Sequence, residues 1–181
     1  MKKIVICLGL GLSLFAFNEA DIKKLQEDQS CNFCDFSGAD FSNKDLSMSE
    51  VKAADFTGAN LTGANFFKSD FSGAIFNNTN AKGANFKGSN FSNAHISESD
   101  FSQSVTWKAN CANANISKVD FFDTELGSAI FANNDLSDSN IDGSILWETK
   151  FSNSKMTKKQ CDHAIAEEAI FDGECFVDNN N

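Results

Sequence analysis

The sequence predicts an all-β solenoid, one chain wound into stacked coils and closed at each end by a short helix. Three observations lead there. Large apolar residues recur at every fifth position from Phe36 to Met156, with no insertion. Small residues recur two positions before them. Polar residues, often Gly, follow each large one, as at Gly58, Gly63, Gly73, Gly83 and Gly88.

The stretch ADFTGANLTGANFFKSDFSGAIF, Ala54 to Phe76, carries the pattern in its plainest form. Period 5 matches neither a strand nor a helix. Of the 25 large positions, 12 are Phe, five Leu and three Ile; Val51, Ala81, Thr106, Cys111 and Met156 fill the rest. Of the 25 positions two residues earlier, 22 are Ala, Ser, Thr or Cys, with Lys44, Val119 and Asn134 as exceptions. Residues two apart on an extended segment point the same way. The small and large residues therefore face inward, and the Asp or Asn between them faces out. The next two residues must turn the chain. Turns that always bend the same way build a coil, and coils stack at about 4.8 Å. Phe36, Phe41, Phe56, Leu61, Phe66, Phe71, Phe76, Phe86, Phe91, Phe101, Phe121, Phe131 and Phe151 are expected to stack along the interior. One pentad buries nothing alone, whereas stacked coils share one core.

These residues resemble the pentapeptide-repeat family, pattern A(D/N)LxX, over about residues 35–158. The resemblance implies a right-handed quadrilateral parallel β-helix with four pentads per coil. That makes about six coils and a rod roughly 30 Å long. The opening DIKKLQEDQSCNFCDFSGADFS also resembles the lead-in of exported bacterial members: a short helix, a CxxC, then the first coil.

Taken in order, residues 1–20 suit a secretory signal, with Lys2 and Lys3 ahead of the run IVICLGLGLSLFAF. Cleavage is expected after Ala20 or Ala16; a retained N-terminal anchor is the alternative. Cys7 lacks the small-residue context of a lipidated cysteine. Residues 21–34 should form a helical cap with the CxxC, Asp21 acting as N-cap and Ile22 and Leu25 facing in. The repeats occupy 35–158, and 159–181 should supply a capping helix and tail. Thr157 would cap that helix, Cys161, Ala164, Ile165 and Ala169 would form its apolar stripe, Asp172–Gly173 would end it, and 178–181 would be a disordered tail.

Given a rod of that length, cysteines at opposite ends cannot meet, because bridged Cα atoms lie within about 7 Å. The expected disulfides are Cys31–Cys34 and Cys161–Cys175, formed in an oxidising compartment, with Cys111 a free thiol in the core. Two other readings are a redox CxxC and a zinc site at Cys161, His163 and Cys175. The zinc set lacks a clear fourth ligand.

Function has fewer signals. Net charge is −10 and all 15 basic residues are Lys, so the chain has no guanidinium fork for phosphate and repels nucleic acid. His95 sits in an outward slot, and the outward carboxylates are set by the repeat. No catalytic, metal or cofactor constellation emerges. With twenty residues per coil, Phe67, Val105, Trp107, Ile145 and Trp147 gather on one outer wall, Lys87 and Gly127 falling between the rings. Outward apolar residues so placed mark a contact surface for a protein or glycan. A distortion at Thr106 that turns Val105 and Trp107 inward is the alternative. The expectation is an exported, periplasmic or secreted, non-catalytic scaffold, monomer or weak dimer, off the membrane once the signal is cleaved. The resemblance offers another function, an acidic DNA mimic that binds DNA gyrase, if the chain stays in the cytoplasm. Against it stand the signal, the absence of loops between coils, and Lys52, Lys68, Lys82, Lys87 and Lys118.

Overall fold

The computed structural model describes residues 17–173 and 175–177. Parallel bridges join outward-slot residues to those twenty positions on: Asp55 to Ile75, Asn60 to Asn80, Asn65 to Asn85, Asp70 to Asn90. The same offset runs from Ser30↔Glu50 to Lys150↔Ile170. Where pairing lengthens, β1 (Ile75–Asn77), β2 (His95–Ser97) and β3 (Asn115–Ser117) form one parallel sheet. A second contains β4 (Ile130–Ala132), β5 (Lys150–Ser152) and β7 (Ile170–Phe171), and a third β6 (Lys155–Met156) and β8 (Phe176–Val177). These sheets hold two or three strands each; most of the ladder is single bridges, one per pentad.

Many pentads close by a hydrogen-bonded turn, as in Ala59 N–H to Phe56 C=O, 2.9 Å. Gly58 holds the left-handed position of that turn, φ 67°, which glycine adopts without cost. Met48, Lys68 and Glu148 take the same φ sign at equivalent positions, so the coil imposes the turn even where the residue resists it.

The interior is ring on ring. The thirteen residues named above as the inner stack are each at most 3% exposed. Phe56 stacks on Phe76 at 5.0 Å and Phe71 on Phe91 at 4.9 Å, while Phe71 meets Phe76 edge-on at 5.3 Å. Hydroxyls in the small slot serve the backbone. Thr79 donates Oγ1–H to Phe56 C=O at 2.8 Å, and Ser99 Oγ accepts the N–H of Thr79 at 2.9 Å. Outside, side-chain amides link the coils. Asn65 Nδ2 donates to Asp45 Oδ1 and Asn85 Nδ2 to Asn65 Oδ1, both at 2.9 Å.

The ends differ from expectation. α1 spans Glu19–Asp28, and its N-cap is Asn18, not Asp21. The helix thus begins before the expected boundary at residue 20. Asp21 is inside the helix and its carboxylate accepts the N–H of Asp35, 3.0 Å, tying helix to coil. Leu25 is fully buried and Ile22 packs partly against the core. The ladder starts at Ser30, so Cys31 and Cys34 fill the large and small slots of a pentad ahead of Phe36.

At the other end, α2 spans Lys158–Ala166 with Thr157 as N-cap, Thr157 and Gln160 completing a capping box. The helix stops at Ala166, short of Asp172–Gly173, because Ile170 and Phe171 must rejoin the ladder on Lys150 and Phe151. Ile165 is therefore not on a buried stripe; it is 60% exposed, and Ala169 packs on the core from beyond the helix. After this excursion β8 pairs with β6 one residue out of step, Lys155↔Phe176. Gln160 Nε2 donates to the C=O of both Leu136 and Ser139 at 2.7 Å, satisfying carbonyls that lack a hydroxyl from a following coil. The signal segment through residue 16 and the 178–181 tail lie outside the described residues. Among the described residues no helix is long and apolar enough to cross a membrane.

Candidate functional site

The outer wall built on Leu46, Phe66, Phe86, Thr106, Leu126 and Leu146 carries the aromatic residues. The ladder runs through it unbroken, Asn85↔Val105↔Glu125↔Ile145. Thr106 stays inside, 3% exposed, with Oγ1 donating to Glu125 C=O at 3.1 Å. Val105 and Trp107 accordingly stay on the outer wall, both half-buried. Ile145 and Trp147 are each 44% exposed.

Trp107 and Trp147 are two coils apart, which is ~10 Å of backbone, yet their ring centroids lie 6.0 Å apart at 47°. Gly127, in the coil between, explains the approach. A Cβ there would lie 2.7–2.9 Å from Trp107 Cη2, Cζ2 and Cε2. The indole leans across the bare backbone toward its partner. Phe67 has Lys87 between it and Trp107 instead, and among the described residues no ring contact joins them. The expected wall thus divides. Phe67 forms its own patch with Lys68, whose Nζ lies 5.1 Å from the ring centroid. Met48, 61% exposed, joins Phe67 through Met48 N–H to Phe67 C=O, 2.7 Å. Sequence reasoning missed Met48, although counting twenty back from Lys68 finds it. It also missed Phe33, 82% exposed in the CxxC loop. Phe122, Ile130 and Ile170 are exposed on other walls.

Cys31 and Cys34 are bonded, Cα–Cα 5.6 Å, and so are Cys161 and Cys175, 6.1 Å. The second bond ties α2 to the chain entering β8; its loop size corresponds to ~3 kcal/mol in the chain-entropy picture. Asp21, Cys31 and Cys34 each place a ligand atom within 4.8 Å of the others. Bonded sulfurs are not thiolates, the form that binds metal. Cys161 and Cys175 are likewise committed, and His163 Nε2 lies 3.0 Å from Ser144 C=O, closing the last coil. Burial pushes the Cys111 thiol up to about 12, which keeps it protonated and inert.

His95 borders a shallow depression of ≈ 240 Å³ with Ile75, Asn77, Ser97, Asn115 and Ser117. The serines there are turned to other partners. Ser97 Oγ–H donates to Asn77 Oδ1 at 2.6 Å and Ser117 Oγ–H to Asp138 Oδ2 at 2.7 Å. Nothing in that arrangement activates a nucleophile.

The family model for pentapeptide repeats matches residues 30–73 and 64–103 in 8 copies. No curated protein matches the chain. Among solved structures, a pentapeptide repeat protein from the Arabidopsis thaliana thylakoid lumen is similar at TM-score 0.54 and 18% identity, over 80% of this chain and 83% of that one. One from the cyanobacterium Cyanothece gives TM-score 0.42 and 16% identity, over 75% and 96%. QnrB1, a plasmid-mediated fluoroquinolone resistance protein, gives 0.38 and 20% identity, over 71% and 63%. At such identities the Arabidopsis likeness is one of fold alone, and the other two carry no further weight.

Proposed function

We propose that this chain, which matches the pentapeptide-repeat model over residues 30–103, is an exported, non-catalytic scaffold that binds a partner through the Trp107–Trp147 wall. The coil on which the wall is built is inferred to be right-handed and four-sided; four bridged positions in every twenty residues support the four sides. The observation that carries the function is the tryptophan pair. A frame whose outward slots are otherwise rich in Asp, Asn and Lys holds two large indoles against each other on its surface, with Ile145 and Trp147 each 44% exposed. Exposed aromatic clusters of this kind supply anchor residues at interfaces. Two disulfides support an oxidising compartment.

Replacing Trp107 and Trp147 with Ser should abolish capture of the partner from periplasmic extract while leaving the far-ultraviolet spectrum unchanged. Equal capture by the variant would refute the wall. Intact mass after fractionation tests export: a shortened chain, four hydrogens lighter than its reduced mass and found outside the cytoplasm, is expected. A full-length reduced chain in the cytoplasm would favour the acidic DNA mimic, which the net charge of −10 suits. That function predicts competition with DNA in a gyrase supercoiling assay.

A further inference from the structure

We propose that the partner of the tryptophan wall is a basic protein segment, and that one of its lysine or arginine cations seats on the Trp107–Trp147 pair beside Glu125 and Glu148. This inference rests on the wall being a contact surface and names what it contacts. Three observations carry it.

The first is charge. In the ladder, Glu125 lies between Val105 and Ile145. Glu148 follows Trp147 directly, and its N–H is bonded to Glu168 C=O at 3.2 Å. Among the described residues, no ion pair engages Glu125, Glu148 or Glu168. Lys108 and, one coil before Trp107, Lys87 are the cations beside the rings, against the three carboxylates of Glu125, Glu148 and Glu168. The second is a precedent on the same wall. Lys68 covers the Phe67 ring from within the chain. Among the described residues no cation covers Trp147, although indole is the better ring for one. The third is the geometry of the pair. Two rings in contact at 47° with centroids 6.0 Å apart, Trp147 44% exposed, offer an aromatic surface on which a cationic head can lie with its methylene stem. A neutral sugar would use the rings and leave the carboxylates without an opposite charge. The observations therefore favour a basic peptide over a glycan.

The protein has two tryptophans, both on this wall, so its intrinsic fluorescence reports the site alone. Full-length mature protein is titrated with acetyl-hexalysine amide, with an uncharged peptide of the same length, and with a neutral chito-oligosaccharide. Saturable quenching by the lysine peptide, weakening with added salt, is expected. Glu125→Gln with Glu148→Gln should weaken it about three- to tenfold, as should Trp147→Leu. Asp40→Asn with Asp120→Asn removes the same charge from another wall and should change affinity less than about twofold. Equal weakening by that remote pair would overturn the proposal, since net charge alone would then explain binding. Quenching by the oligosaccharide without the lysine peptide would also overturn it, while leaving the wall as a contact surface. No quenching by any of the three overturns it too; the wall then stands or falls on the Ser variants and capture, which do not depend on partner charge.

Discussion

From Phe56 to Phe101 the coil interior is packed with phenylalanine rings, and the outside is mostly Asn, Asp, Ser, Gly and Lys. From Thr106 to Phe151 the same slots hold Thr106, Cys111, Ile116, Leu126 and Leu136 inside, while Val105, Trp107, Phe122, Ile130, Ile145 and Trp147 stand outside. Both regions keep the twenty-residue register, although among the described residues no bridge joins Asn115 to Asp135, where Asn134 Nδ2 donates to Ala114 C=O at 2.7 Å instead. The family pattern is matched only as far as residue 103. The comparison separates two kinds of information. Parallel pairing and the turn at every fifth residue make the frame, and the frame tolerates Thr or Cys in a slot where Phe is usual. What the second region does with its surface is written in departures from the repeat, which is where a partner can be recognised.

The strongest way to break this comparison is to test whether stability is concentrated in the first region. Phe76 touches Phe56, Phe71, Phe91 and Phe101, with centroids between 5.0 and 6.0 Å. Phe76→Ala should cost ~3–5 kcal/mol, the transfer term plus the cavity. Thr106→Val removes one hydrogen bond, and Glu125 C=O still accepts the Thr106 backbone N–H at 2.8 Å. It should cost about 1 kcal/mol or less. Urea unfolding of both variants measures the difference. Similar losses would mean that the ring stack is no more important than the mixed interior.

The pentad register was legible because each large slot must be filled by something that survives burial, and the choice recurs 25 times. The caps were less legible. α2 carries a helical pattern beyond Ala166, but the ladder claims Ile170 and Phe171, and pairing with a coil twenty residues back cannot be read locally. Asn18 outcompetes Asp21 as N-cap because Asp21 is needed by the Asp35 N–H. In the wall, the positions of Trp107 and Trp147 followed from counting by twenty, but their mutual approach depended on a missing side chain at Gly127, and the separation of Phe67 depended on a present one at Lys87.

Acid sharpens the comparison next. Backbone and side-chain hydrogen bonds from Ser42 hold the Asp40 carboxyl below its ordinary value of 3.8, and those from Ser47 do the same for Asp45. At Asp70 burial pulls upward, but Ser72 and Lys52 outweigh it; at Asp135 burial is outweighed by Ser137 and Lys155. A carboxyl depressed on folding contributes stability that is present above 3.8 and lost as pH falls through the lowered folded value. Thermal midpoints should hold from pH 7 to about 5 and decline below that. Asn keeps the Oδ1 acceptor and has no proton to gain. Asp40→Asn, Asp45→Asn and Asp70→Asn together should flatten the acid decline more than Asp135→Asn does, because three of these four carboxyls belong to the first coils. Circular dichroism melts across pH would detect the reverse order, which would place acid sensitivity in the second region.

The smallest expected effect is the most local. Gly127→Ala meets no left-handed backbone there; what it meets is the Trp107 ring, closer to the new Cβ than carbon atoms pack. The half-buried indole must swing outward. Because the frame of the second region is independent of what its surface carries, the fold should lose no more than about 1 kcal/mol. The spectroscopic change should be disproportionate, with a red-shifted emission as Trp107 leaves the shelter of the backbone and of Trp147. Lys87→Gly is the converse experiment, since it removes the side chain that separates Phe67 from Trp107. If bare backbone is what lets a ring lean across a coil, Trp107 gains a second direction in which to pack, and its emission should shift to the blue. An unchanged spectrum in both variants would show that the ring is held by something other than the missing side chain.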